Sequence, residues 1–181
     1  PARSQIAHGF MPFSKEWHRA LDVAVNDAAD AACGYLEMAA SVQGTTHAVL
    51  CGWVATEPGA VAWVEDDAGD AYPMDGACWR ERLDVMRAVG SFMGVAALRS
   101  GFVLHLQTRK PTSRLRLKAL THRGVHQLGE IACTPLPADP VAVSRWLFGI
   151  EAPGNGLTQR FNQVSEPLLS ELIARSRAVW P

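Results

Sequence analysis

The spacing of hydrophobic positions changes twice along the chain. Trp17, Leu21, Val25, Ala28 and Ala32 recur every third or fourth residue, which puts them on one face of a helix that Ser14 can cap. Gly34 ends that run. From residue 35 the period shortens towards two. Residues 35–42 and 47–56 read as strands around a Gly44-Thr45-Thr46 turn, and Glu57-Pro58-Gly59 turns the chain again. Residues 60–65 form a short apolar strand. After Asp66-Asp67-Ala68-Gly69-Asp70, residues 71–74 pair back as a hairpin.

Residues 79–89 read as a short helix or a helical loop, and 90–100 carry no clear period. Residues 102–108 form a strand that turns at Lys110-Pro111-Thr112-Ser113. Residues 114–120 alternate, with Leu115 and Leu117 on one side and Arg114, Arg116 and Lys118 on the other. Arg123-Gly124 leads into a final strand over 125–133. Helical spacing then returns. Asp139 caps a helix with Pro140 at its first position, and Val143, Leu147 and Ile150 share a face. Residues 151–156 form a loop. Leu157, Phe161 and Val164 begin another helix. Pro167 interrupts it, so Ser165 caps a new segment lined by Leu168, Leu172 and Ile173. These elements predict a single α+β domain. A helical lead-in over 1–34 and C-terminal helices over 139–181 flank an antiparallel, β-sandwich-like core over 35–138.

Composition narrows the class. The chain has 181 residues, 48% apolar and 19% charged, enough to bury a core without disulfides or a structural metal. A net charge of −1 supplies no field to draw it onto nucleic acid or an anionic membrane. No run approaches the ~20 apolar residues of a membrane-spanning helix. The first residues lack the basic-then-apolar order of a signal peptide. Pro1 stands where an initiating Met would, as in a processed chain or part of a longer one. Cys33, Cys51, Cys78 and Cys133 form no Cys-x-x-Cys pair, which speaks against zinc and for reduced thiols in a cytoplasmic protein.

Catalytic signatures are absent: there is no Gly-x-Ser-x-Gly, no His-Glu-x-x-His and no phosphate-binding glycine loop. No catalytic residue, metal site or cofactor is expected on these grounds. His122 and His126 could share a face but have no third ligand. Val64-Glu65-Asp66-Asp67 is the sharpest acidic cluster. Carboxylates at a strand end can hold a divalent metal on a nucleotide diphosphate, whereas the plainer reading is a hairpin turn. The basic stretch from Arg109 to Arg123 contains no acid. Its Arg114, Arg116 and Lys118 could meet an anionic glycan or partner, or guard a solvated strand. Tryptophan can stack on a sugar ring. Trp63 and Trp79 lie nearest turns and are the binding candidates, whereas Trp53, inside a strand, reads as core.

The middle of the chain resembles a β-sandwich accessory domain of bacterial polysaccharide-biosynthesis proteins, often found beside a family 2 glycosyltransferase module. The resemblance spans about residues 35–135. It rests on the strand His47-Ala48-Val49-Leu50-Cys51-Gly52-Trp53-Val54, the hairpin over 61–74, Arg82-Leu83-Asp84-Val85, and Gly101-Phe102 opening the next strand. The stretch between Val85 and Gly101 is longer than the pattern. The resemblance implies a module that binds glycan or docks a partner domain, with no catalytic residues to carry over and with Gly52, Trp53 and Phe102 structural.

The leading expectation is therefore a non-catalytic accessory domain that binds glycan or docks a glycosyltransferase module through Trp63, Trp79, Arg114, Arg116 and Lys118. Two alternatives stay open. One is a metal-dependent nucleotide-sugar transferase using Glu65, Asp66 and Asp67. The other is an interaction scaffold, with a homo-oligomer formed through the helical ends.

Overall fold

A computed structural model describes residues 31–150 and 161–178. Among these residues nine strands fall into two sheets. The first sheet contains β1 (Ala32–Val42), β2 (His47–Thr56), β5 (Cys78–Arg80), β6 (Gly101–Gln107) and β9 (Thr134–Leu136), in the order β5-β6-β2-β1-β9. The second contains β3 (Val61–Asp66), β4 (Ala71–Pro73), β7 (Arg114–Thr121) and β8 (Gly124–Ala132), in the order β4-β3-β7-β8. All pairings are antiparallel except β1 with β9. Pro135 lies in β9, where an edge position tolerates a residue without an N–H. The α+β class and the sandwich of two sheets expected from the periodicity are both present.

The central strand explains the layering. Every residue of β2 except Thr56 is buried, so it reads as an apolar run and not as an alternation. Ala48, Leu50 and Val54 pack between the sheets with Leu36, Val64, Phe102, Leu104, Leu115 and Leu117. Val49, Cys51, Trp53 and Ala55 belong to clusters on the other face, where helices cover the sheet. Helix α1 (Leu83–Met93) and the short α2 (Val95–Leu98) bring Val85, Val89, Met93 and Ala97 onto Trp53 and Cys33. Helices α3 (Pro140–Gly149) and α4 (Glu166–Ala178) bring Val143, Leu147, Leu168 and Leu172 onto Val49, Cys51 and Val103.

Two glycines permit this packing. The β1–β2 register slips between Leu36 and Met38, leaving Glu37 as a bulge. Gly52 lies opposite, and a Cβ there would overlap the carbonyl oxygen of Tyr35. A Cβ on Gly101 would meet the stems of Arg80 and Arg82. Trp53 and Phe102, which follow these glycines, are fully buried.

Several boundaries differ from the periodicity. Ala32, placed on the first helix, and Gly34 both belong to β1; the rest of that helix lies outside the described residues. Residues 79–89 are not one helix, because Trp79 and Arg80 pair with β6 and the helix opens only at Leu83. The featureless stretch 90–100 holds the end of α1 and α2, separated by Gly94 at φ 55°. Asp139 caps α3 as expected, accepting hydrogen bonds from the N–H groups of Val141 and Ala142. Ser165 does not cap: residues 161–165 form a π-helical turn running directly into α4. This wider turn places Pro167 at the second α-helical position, where its missing N–H does little harm. Ile173 is exposed on α4, so the buried face is Leu168 and Leu172.

Candidate functional site

The hairpin β3–β4 and the crossing from β4 to β5 position the two tryptophans. Along β3, Val64 and Asp66 point inward and are fully buried, so Trp63 and Glu65 face outward. Pro73 pairs opposite Trp63 across β4. The chain then passes over the sandwich edge through Met74 and Asp75 to β5, where Trp79 is 43% exposed. Trp63 and Trp79 thereby line one open groove of about 500 Å³, together with Val61, Pro73, Met74 and Asp75. Trp79 is set edge-on against buried Phe102, with ring centroids 6.0 Å apart and planes at 63°. The groove is apolar along its walls, with the Asp75 carboxylate as its charged group.

The basic residues lie elsewhere on the outer face of the second sheet. Arg114, Arg116 and Lys118 share that face, as the alternation predicts, but all are paired. Arg114 Nη1 lies 2.7 Å from Glu130, and Arg116 Nε donates to Glu130 at 2.8 Å. Lys118 Nζ lies 2.7 Å from Glu65, which Arg116 also approaches at 3.5 Å. Three cations against two carboxylates leave one positive charge on this ladder. The hydrogen bond from Arg116 holds the Glu130 carboxyl below its usual range. Lys118 is the cross-strand partner of Trp63, but none of these three cations lines the groove.

The acidic cluster disperses. Asp66 is buried and accepts hydrogen bonds from the N–H groups of Ala68 and Asp70 and from the Tyr72 hydroxyl, at 2.9–3.0 Å. Asp67 accepts from the Ser113 N–H, the Ser113 hydroxyl and the Thr112 hydroxyl, and the Ser113 N–H lowers its pKa first. Asp70 pairs with Arg109 at 2.9 Å, and Glu65 faces the basic ladder. The three aspartates thus each fix a turn or a loop, while Glu65 bridges β3 to β7. Among the described residues no group of three His, Cys, Asp or Glu side chains is arranged to hold a metal ion. His122 approaches Glu57 at 2.6 Å, while His126 contacts Thr121. The described fold holds no helix long and apolar enough to cross a membrane.

Two further polar clusters lie on the helix-covered face of the first sheet. Arg82 forks onto Asp84 through Nε and Nη2, at 2.9 and 2.6 Å, and reaches the bulged Glu37 through Nη1 at 2.6 Å. Burial opposes its charge, but Asp84 and Glu37 outweigh it and hold the guanidinium protonated. The Arg-x-Asp-Val segment thus ties the start of α1 to the β1 bulge. Under α4, His47 Nδ1 lies 3.0 Å from His105 Nε2, while its Nε2 lies 2.8 Å from Glu171, off the line of a hydrogen bond. Burial, then the charge of His47, depresses the His105 pKa to about 4.

Asp75 joins the candidate residues only through the fold; its one local signal is the turn chemistry of Asp75-Gly76. Comparison with protein-family models, curated proteins and solved structures finds no match.

Proposed function

We propose that this protein is a non-catalytic carbohydrate-binding module of a bacterial polysaccharide-biosynthesis protein, taking a sugar ring between Trp63 and Trp79. The observation that carries this reading is their convergence on one groove with Asp75 beside them. Indole faces suit the apolar face of a pyranose, and a carboxylate accepts hydrogen bonds from vicinal hydroxyls. The order of Gly-Trp, hairpin, Arg-x-Asp-Val and Gly-Phe elements supports the biosynthetic setting. The commitment of Glu65, Asp66 and Asp67 to ion pairs and turns favours binding over metal-dependent transfer.

A glycan array probed with the whole chain tests this. Wild type is expected to bind a subset of glycans. Trp63→Ala and Trp79→Ala should each weaken that binding by about tenfold or more, as expected for loss of ~1.4 kcal/mol of stacking. Arg116→Ala, outside the groove, should leave it unchanged. Binding that survives both tryptophan substitutions would refute the site.

A partner-docking reading has its own support. Val61, Leu120 and Val125 are 60%, 49% and 61% exposed and lie side by side across β3, β7 and β8. This apolar row adjoins the groove through Val61. Glycan binding insensitive to Leu120→Asp would separate the two surfaces.

A further inference from the structure

The groove does not end at Trp79. A second lobe of about 550 Å³ continues from it, lined on its far side by Thr56, Ala60, Ala96 and Arg99. Val61, Ala62, Met74 and Trp79 line both lobes, so the two adjoin, with Trp79 at the junction. Among the described residues the ionisable lining groups are Asp75 in the first lobe and Arg99 in the second.

Arg99 differs from the cations on the sheet ladder. It is exposed, and among the described residues it makes no ion pair. Its backbone is nevertheless fixed on both sides. Leu98 O accepts from Arg82 N–H at 2.8 Å, and Ser100 O accepts from Val54 N–H at 2.8 Å. The Ser100 side chain is fully buried and donates to Ala97 O at 2.8 Å. A guanidinium with no ion pair among the described residues, on an anchored backbone at one end of an aromatic groove, suits a carboxylate, which it can grip through two parallel hydrogen bonds.

Resting on the carbohydrate-binding reading above, we propose that the ligand is an acidic glycan, in which a uronate-type sugar carboxylate pairs with Arg99 while a neighbouring ring stacks on Trp63 and Trp79. Charge count selects this class. One guanidinium balances one negative charge, and Asp75 in the adjoining lobe repels denser charge. A pyrophosphate or a run of phosphodiesters would leave negative charge uncompensated.

The test is an array of bacterial surface polysaccharides, each printed in its native acidic form and as its carboxyl-reduced counterpart, in which each uronate has become a neutral hexose. The probes are the full chain and its Arg99→Ala, Arg99→Lys and Trp63→Ala variants. Wild type should bind at least one native form about tenfold tighter than its reduced counterpart. Arg99→Ala should remove that difference while retaining binding to the reduced form, Arg99→Lys should restore part of it, and Trp63→Ala should weaken both forms. Equal wild-type binding to native and reduced forms would overturn the acidic ligand and leave the carbohydrate reading standing. An undiminished preference in Arg99→Ala would overturn the role of Arg99. Absence of binding to every glycan would overturn both readings.

Discussion

The two sheets meet water differently, and that difference separates structure from recognition. The β5-β6-β2-β1-β9 sheet is covered on both sides, by the second sheet and by four helices. Beneath those helices Arg82 pairs with Glu37 and Asp84, and His47 lies against Glu171. Among the described residues the β4-β3-β7-β8 sheet is covered on one side only, and its other face presents charged pairs, an apolar row and Trp63. A covered face favours paired polar groups, because an unpaired charge there is costly; among the described residues its exceptions are single atoms, His47 Nε2, Trp53 Nε1 and Arg80 Nε. The open face carries no such constraint. The aromatic groove lies where that face meets the sandwich edge, with Trp63 from the second sheet and Trp79 from the first.

The comparison breaks most visibly at Gly52. Gly52→Ala places a methyl group against Tyr35 O at the bulge. We expect a loss of about 3 kcal/mol, the upper range for overpacking a core, read as a lower urea midpoint with an unchanged slope. Full retention of the midpoint would show that the bulge relaxes freely.

Acid should act next, through the covered sheet. His105 titrates near 4 when folded, below the usual histidine value of 6.5. A depressed histidine pKa means that the unfolded chain takes up the proton first. Its contribution to stability is therefore complete above 6.5 and is lost as pH falls from there towards 4. The loss should not exceed about 3 kcal/mol. Unfolding curves of wild type and His105→Gln between pH 7 and pH 4 measure it. The variant should show the shallower dependence, and parallel curves would remove His105 as the cause.

The smallest effect belongs to the open face. Arg116→Ala removes contacts to Glu130 and Glu65 in a solvated ladder. We expect the smallest loss of the three, because solvent screens these contacts, and it should shrink further in high salt. A larger, salt-independent loss in thermal melts would mean that the ladder is structural.

The same contrast explains what could be read from the sequence. Strands β1, β2, β3, β6 and β7 announce themselves through apolar runs or alternation, and the one-sided β7 separates Leu115 and Leu117 from Arg116 and Lys118 correctly. Strand β5 does not, since three residues cannot show a period and its pairing with Phe102 is a long-range contact. Helix α1 was blurred for a related reason. Its buried positions Val85, Val89 and Met93 are helically spaced, but its start depends on Arg82 reaching Asp84 and Glu37, with no capping side chain. Trp63 and Trp79 stood out by residue type, but their meeting depends on the chain crossing between sheets. Arg114, Arg116 and Lys118 looked like a free cationic strip because their partners, Glu65 and Glu130, lie on neighbouring strands. Arg99 sat in the stretch with no period, where nothing in the local pattern marks it.

The most direct measurement follows the indole N–H resonances of the protein during titration with an array-selected glycan, assigned by single Trp→Phe substitutions. The Trp63 and Trp79 signals should shift together and saturate on one isotherm, while that of Trp53 stays in place. A shift confined to other tryptophans would contradict the placement of recognition on the open groove.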